Sequence, residues 1–185
     1  MENMTEKQIL AHEIYNGKIL HVFYDDVELP NGRPAIREYI RHIGAACVVP
    51  VTDDGRVYMV RQFRYPFGKV LLEVPAGKLD SREEDPLEAA KRELREETGA
   101  TAAEWVDLGA FYPTCAYSDE VIRVYLAHGL SFGDMDPDED EFIAPEAIPL
   151  ERLVEMIMAG EICDGKTQTA LLKAYLYLQR KNAGN

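Results

Sequence analysis

The chain has 185 residues, a formal net charge of −13 and a pI of about 4.7, with 46% hydrophobic and 29% charged residues. This length suits one domain with a substantial core, and the composition is that of an ordinary globular protein. The negative charge argues against nucleic acid as a general partner, because a phosphate backbone attracts the opposite sign.

Residues 19–28 and 36–41 have the composition of strands, and the sequence Pro30-Asn31-Gly32 between them predicts a turn. Residues 45–52 and 56–64 are predicted to form a hairpin around Asp53-Asp54-Gly55.

A helix is predicted over residues 86–98. Asp85 is a good N-cap, Pro86 suits the first helical position, Glu88 has capping-box spacing, and Gly99 suits the left-handed position that ends a helix. An apolar stripe at helical spacing would face a core: Leu87, Ala90 and Leu94.

Beyond this helix, strands are predicted over 105–111 and 121–128, an acidic loop over 133–140, and amphipathic helices over 150–159 and 166–180. Strands and helices in mixed order indicate an α+β domain or an α/β/α layered domain.

The sequence also indicates a compartment. Cys47, Cys115 and Cys163 are widely spaced and form no obvious disulfide framework, which favours a reducing cytoplasm. Residues 1–20 lack the pattern of a signal peptide, and no uncharged apolar run approaches transmembrane length. We therefore expect a cytoplasmic protein with no membrane partner.

Three carboxylates share one face of the predicted helix, because Glu93, Glu96 and Glu97 stand at i, i+3 and i+4. At an effective dielectric of about 20, each pair ~4 Å apart would cost up to ~4 kcal/mol, and much less in water. Oxygen ligands on a rigid helix suit a hard cation such as Mg²⁺ or Mn²⁺. The alternative is a solvated face with Arg92 and Arg95 as partners.

Residues 77–99 resemble the signature of the Nudix hydrolases. The order is Gly77, a loop, Glu84, seven residues, and then the pattern of Arg92-Glu93-Leu94, Glu96-Glu97 and Gly99. Six residues separate Gly77 from Glu84 where the family usually has five, and Ala100 replaces a larger aliphatic residue. We match Glu84 rather than Glu83, because helix register is a stiffer constraint than loop length.

Other segments resemble the ADP-ribose pyrophosphatase branch of that family: residues 37–45, 61–65, 73–77, 111–120 and 166–172. Cys115-Ala116 stands where the branch often has Pro-Gly. The resemblance implies a Nudix-type α/β/α sandwich with a mixed sheet over residues 43–185. It also implies a small N-terminal β subdomain over residues 1–42 that packs on, or swaps with, a second subunit, and therefore a homodimer.

The resemblance also implies a metal site. Glu93 and Glu97 would bind Mg²⁺ or Mn²⁺ together with the carbonyl of Ala76, and Glu96 is the third carboxylate of the cluster. Arg92 would orient the glutamates through charge-assisted hydrogen bonds.

Substrate-binding residues are expected on the strands. Arg37 and Arg64 each lie beside an aromatic residue, and an arginine fork suits a diphosphate or a terminal phosphate; the alternative is an arginine on an exposed surface. Gln62 and Glu73 are weaker candidates. Glu73 could accept a hydrogen bond from an adenine amino group, or it could cap a turn.

A general base must come from outside the metal ligands. The branch takes it from a loop after the last core strands, and the acidic run 138–141 occupies that place, so Glu141 is the first candidate and Glu139 the second. A solvated loop is the alternative, in which case Glu120 is the next candidate.

We therefore expect metal-dependent hydrolysis of a nucleoside diphosphate sugar, with ADP-ribose favoured and AMP and ribose 5-phosphate as products. One alternative is a pyrophosphatase for another nucleotide sugar such as GDP-mannose. Another is a nucleotide-sensing Nudix domain without catalysis, which the intact carboxylates disfavour. The sequence leaves open which nucleotide sugar is physiological and how many metal ions bind.

Overall fold

A computed structural model describes residues 3–136 and 142–184. At the N-terminus, β1 (Lys7–Asn16), β2 (His21–Glu28) and β3 (Pro34–Arg41) form an antiparallel sheet in the order β1-β2-β3. β2 and β3 confirm the two predicted strands. β1 was not predicted, because nearly all of its residues are exposed and its sequence lacks a buried alternating face.

Two further sheets form the body of the protein. A mixed four-stranded sheet has the order β7-β4-β9-β8, from β4 (Ala45–Pro50), β7 (Ala76–Lys78), β8 (Ala100–Phe111) and β9 (Ile122–Phe132), with β4 parallel to β9. An antiparallel sheet has the order β10-β5-β6, from β5 (Arg56–Arg64), β6 (Lys69–Glu73) and β10 (Ala144–Pro149). A short 3₁₀ turn, Tyr65–Phe67, connects β5 to β6.

The hairpin predicted between residues 45–52 and 56–64 is wrong, although its turn is present. The amide of Gly55 donates to the carbonyl of Thr52 over 3.0 Å, and Val51 pairs with Val57. Beyond that pair, β4 and β5 separate into different sheets. All six residues of β4 are buried, so this strand takes β7 and β9 as neighbours on its two sides.

The helices confirm the sequence pattern: α1 (Pro86–Thr98), α2 (Leu150–Met158) and α3 (Gly165–Ala183). At the start of α1, the Asp85 side chain accepts a hydrogen bond from the amide of Leu87 over 2.9 Å. Gly99 ends the helix with φ at +69°. Glu88 pairs with Lys91 at 2.7 Å rather than completing a capping box.

β4 separates two layers of core. Ala46 and Val48 pack toward α1, where Leu94 is fully buried, whereas Cys47 and Val49 pack with buried residues of α2 and α3. Burying a side chain of this kind stabilises the fold by about 1.5–3 kcal/mol. The fold class is α+β, with helices on both sides of the mixed sheet, as expected.

The N-terminal sheet is separate from the two sheets of the body, and Ile40 of β3 bonds the backbone of Tyr117 and Asp119. β3 ends at Arg41 and β4 begins at Ala45, so the division proposed between residues 42 and 43 falls in their connection and stays a prediction. Among the described residues, no helix is long and apolar enough to cross a membrane.

Candidate active site

Two cavities meet at β7. One of about 420 Å³ is lined by residues from several elements, among them Arg64, Ala76, Glu120, Asp164 and Lys166. The other, of about 500 Å³, is lined by residues of α1 and the preceding loop, among them Asp80, Arg92, Glu93 and Glu96. Gly77 and Lys78 line both cavities, so one groove runs across β7, and each of its two sides carries both carboxylates and cations.

Two glutamates of α1 lie against β7. Glu97 is only 2% exposed, and its Oε2 accepts a hydrogen bond from the amide of Ala76 over 3.1 Å. Glu93 is buried beside Gly77, where an added Cβ would lie 2.0 Å from Oε1 of the glutamate. Glycine at position 77 leaves room for the Glu93 carboxylate, and a larger residue there would displace that carboxylate.

Arg92 lies between the carboxylates. Its Nη1 donates to Glu93 Oε1 over 2.7 Å and to Glu96 Oε2 over 3.4 Å, and its Nη2 donates to the carbonyl of Lys78 over 3.2 Å. Burial opposes its charged form, but the nearby carboxylates, Glu93 first among them, raise the pKa of Arg92 above its ordinary value. These are the contacts that an orienting arginine would need.

The loop before α1 agrees with the match made to Glu84. This residue lies 3.6 Å from Arg92 Nη2, and its carboxylate accepts the amide of Asp80. Glu83, the rejected alternative, is exposed. The extra residue of the loop therefore leaves Glu84 in contact with the helix.

Oxygen donors for a divalent cation gather at β7. The Glu97 carboxylate bonds the amide of Ala76, and the Glu93 carboxylate lies beside the adjacent Gly77. Glu96 lies on the edge of the same helix face and is paired with Arg92. Within residues 3–136 and 142–184, however, no group of three or more His, Cys, Asp and Glu side chains is already arranged to hold a metal ion. The donor chemistry fits Mg²⁺ or Mn²⁺, and Arg92 bonds only one oxygen each of Glu93 and Glu96.

Arg64 and Lys166, which line the 420 Å³ cavity, both bond the buried carboxylate of Glu73. Arg64 holds this carboxylate with a fork, Nε to Oε1 at 2.7 Å and Nη2 to Oε2 at 2.6 Å. Lys166 Nζ bonds the same Oε2 and also Asp164, the latter over 3.0 Å. Burial opposes ionisation of Glu73, but Arg64 and Lys166 outweigh it and lower the pKa of this carboxyl.

The interpretation of Glu73 as an adenine acceptor or a turn cap is therefore corrected. The residue is 1% exposed, and both carboxylate oxygens are bonded to cations. It is therefore a buried counter-ion of Arg64 and Lys166.

The two predicted arginine clamps are not brought together within one chain. Arg37 lies on the N-terminal sheet, where its Nε donates to Glu6 over 2.8 Å, and it lines neither cavity of the groove. Gln62 is half-buried on β5, two residues from Arg64 and so on the same strand face, but it also lines neither cavity.

Sequence reasoning missed Lys166 and Asp164. Asp164 is the N-cap of α3 and accepts the amide of Thr167 over 2.9 Å, which is an ordinary capping pattern. Lys166 in the first turn of a helix is less ordinary, because a cation there opposes the helix macrodipole. That unfavourable placement was the available signal that Lys166 has an acidic partner elsewhere.

Of the three candidates for the general base, the structure describes only Glu120. Glu139 and Glu141 lie outside the described residues. Glu120 lines the 420 Å³ cavity, and its Oε1 lies 3.8 Å from His42 Nδ1.

Comparison with known proteins places the chain in a family. Residues 41–166 match the NUDIX domain, and residues 6–40 match the nucleoside diphosphate sugar hydrolase N-terminal domain. The chain is 41% identical to an ADP-ribose pyrophosphatase of Bacillus subtilis, over 99% of this chain and 97% of that protein. It is 40% identical to a methanol dehydrogenase activator of Bacillus methanolicus, over 94% of each.

The fold has a close counterpart as well. A solved structure of an ADP compounds hydrolase superposes with a TM-score of 0.87, covering 98% of both chains at 21% identity. At that identity the likeness concerns the fold alone. The NUDIX domain matches about two thirds of the chain, and the two relatives align with nearly all of it. The chain therefore belongs to the Nudix family.

Proposed function

We propose that this protein hydrolyses the diphosphate of a nucleoside diphosphate sugar, with ADP-ribose as the favoured substrate. One observation carries the proposal: on one side of β7, Glu93 and Glu96 line one cavity beside the buried Glu97, and on the other side Arg64 and Lys166 line the adjoining cavity. A chain with a net charge of −13 repels an anionic substrate unless cations lower that repulsion locally. Arg64 and Lys166 are balanced by Glu73 and Asp164, so they supply directed donors, and the bound metal would supply the positive charge.

The metal ligands proposed are Glu93, Glu97 and the carbonyl of Ala76, with Glu96 as a further carboxylate. Mg²⁺ or Mn²⁺ bound there would neutralise diphosphate charge and lower the pKa of a bound water. Arg92 holds the glutamates in place, and Arg64 binds phosphate oxygens on the other side of β7.

The proton acceptor proposed is Glu141, with Glu139 second and Glu120 as the alternative that lines the groove. The carboxylate takes a proton from the attacking water, whose oxygen bonds to phosphorus while the bridging P–O bond breaks. For ADP-ribose this yields AMP and ribose 5-phosphate.

ADP-ribose is favoured by the resemblance of the substrate segments and by the relative named an ADP-ribose pyrophosphatase. The relative named a methanol dehydrogenase activator is almost as similar, so identity by itself does not select a substrate. The test must therefore compare several nucleotide sugars.

We also propose a homodimer. The N-terminal sheet leaves apolar side chains exposed that its three strands cannot bury by themselves: Ile9, Leu10, Ile14, Tyr15, Ile19 and Ile36. Val27, by contrast, is already buried within the subunit. A second copy would cover this surface. Arg37 lies on the same sheet, so its proposed contact with substrate depends on the dimer.

The cytoplasm is the proposed compartment. All three cysteines are free thiols. Burial raises the pKa of Cys47 to about 12 and makes it unreactive, whereas Cys115 and Cys163 are exposed. Exposed free thiols persist in a reducing compartment.

The deciding experiment incubates the purified protein with ADP-ribose, GDP-mannose and other nucleotide sugars, in Mg²⁺, Mn²⁺ or a chelator, and separates the products by chromatography. We expect AMP and ribose 5-phosphate from ADP-ribose with metal only, and turnover of GDP-mannose at least about tenfold slower, the scale of pocket discrimination. A sensing domain would bind ADP-ribose and return it intact. Hydrolysis that survives the chelator would contradict the metal site.

A further inference from the structure

Glu73 is a fully buried carboxylate with two cationic partners from distant parts of the chain. It ends β6, Arg64 ends β5, and Lys166 lies in the first turn of α3, 93 residues along the sequence. Burying a carboxylate is costly unless it is completely paired. An apolar residue at this position would cost less free energy of folding than a buried charge, so we infer that Glu73 has a role beyond packing.

The start of α3 is anchored to the same place. Thr167 is fully buried, and its Oγ1 accepts the amide of Val74 over 3.0 Å while donating to Asp164 over 2.6 Å. Val74 follows Glu73 directly. The first turn of α3 is therefore bonded to the chain between β6 and β7, two residues before Ala76.

Glu73 brings two like charges close together. Arg64 Nη2 and Lys166 Nζ bond the same oxygen, Oε2, although the two cations repel each other. Both side chains also line the 420 Å³ cavity. The fork of Arg64 uses Nε and Nη2 for Glu73, which leaves Nη1 as its donor toward a ligand.

We propose that Glu73 is a positioning residue, whose buried carboxylate holds Arg64 and Lys166 side by side on the cavity wall and so sets the affinity for the substrate diphosphate. The inference rests on the proposed function, in that a nucleotide sugar diphosphate enters this groove. Glu73 itself does not touch the substrate.

The sign of the effect separates this role from simple electrostatics. If only local charge mattered, neutralising Glu73 would make the cavity more positive and would strengthen the binding of an anion. If Glu73 positions the cations, the isosteric neutral variant loses charge-assisted hydrogen bonds, Arg64 and Lys166 separate, and binding weakens.

The experiment compares Glu73→Gln with Glu146→Gln. Glu146 makes an exposed pair with Arg61, Nε to Oε2 at 2.8 Å, on the neighbouring strands β10 and β5, and it lines neither cavity of the groove. The readouts are kcat and KM for ADP-ribose with Mg²⁺, and the Kd of the non-hydrolysable α,β-methylene ADP-ribose by calorimetry.

We expect Glu73→Gln to raise KM and Kd by about tenfold or more, with kcat changed by less than about threefold, because the lost interaction serves binding. Glu146→Gln should leave all three unchanged. A double-mutant cycle of Glu73→Gln with Lys166→Met tests whether Glu73 acts through Lys166. If it does, the double variant should weaken binding by less than the sum of the two single changes in binding free energy.

Unchanged or tighter binding by folded Glu73→Gln overturns the inference, and so does strict additivity in the cycle. If Glu73→Gln does not fold, Glu73→Asp keeps the charge but withdraws it by one methylene, and it must also weaken binding. A wild-type protein that neither binds nor hydrolyses any nucleotide sugar refutes the proposed function, and this inference with it. An active wild-type protein with an unaffected Glu73→Gln refutes this inference alone.

Discussion

Replacing Gly77 by alanine should displace the Glu93 carboxylate and lower activity while changing the stability of the fold only slightly. The new Cβ would lie 2.0 Å from Oε1 and 2.2 Å from Cδ of Glu93. Ordinary contact begins at 3.4 Å, so the carboxylate must retreat from 2.0 Å to 3.4 Å, a displacement of about 1.4 Å. A misplacement of about 1 Å at a reacting centre costs roughly 10²-fold in rate. We therefore expect kcat to fall by about 10²-fold or more.

The fold should tolerate the change. Gly77 does not adopt the left-handed conformation, so alanine is allowed there and gains about 0.4–1 kcal/mol from a less flexible unfolded chain. Against this stands the Arg92–Glu93 hydrogen bond of 2.7 Å, and a bond to a charged group contributes about 1.5–3 kcal/mol. The net loss of about 0.5–2.6 kcal/mol lowers Tm by about 1–10 °C at this chain length.

The assay measures the initial rate of AMP release from ADP-ribose with saturating Mg²⁺, beside thermal melting by circular dichroism. Gly133→Ala is the matched control, because its Cβ would meet its nearest atom at 3.8 Å and its φ is not left-handed. A folded Gly77→Ala protein that keeps kcat within about threefold of wild type would refute the argument, since the expected loss is about 10²-fold.

Glu97→Gln should lower kcat by about 10²-fold or more, because it removes a charged ligand at constant volume, and full activity of the folded variant would exclude the metal site. Glu141→Gln should lower kcat strongly with KM nearly unchanged, and Glu139→Gln should do less; equal, mild effects would place the base elsewhere. Light scattering at micromolar concentration should give twice 20.9 kDa, and a monomer mass would contradict the dimer. Burial opposes ionisation of Glu73 and Asp164, but their cationic partners lower both pKa values. The free energy of unfolding that they contribute is present at neutral pH and should decline in urea titrations as the pH falls below about 4, toward those lowered values.

The features that sequence predicted well are local. The start of α1 at Pro86 and its end at Gly99 follow from capping geometry, which involves residues only a few positions apart. The common face of Glu93 and Glu97 follows from helical periodicity, and the turn before Gly55 from its own three residues. The family signature lies within this same local stretch, which is why the sequence sufficed to recognise it.

Tertiary structure decided which strands pair. The turn at Gly55 was correct but the hairpin was wrong, because β4 pairs with β9, more than seventy residues away, and a turn signal cannot report a distant partner. β7 has only three residues, so it has no periodicity to detect, and it exists because β4 lies beside it.

The same distinction holds within the groove. The carboxylates of α1 could be inferred from their spacing, but the partnership of Glu73 with Lys166 spans 93 residues and follows no local rule. A buried charge is permitted only where the fold supplies its counter-ions. Sequence therefore predicted which residues would carry the proposed metal-binding chemistry, and packing determined that Glu73 pairs with Arg64 and Lys166.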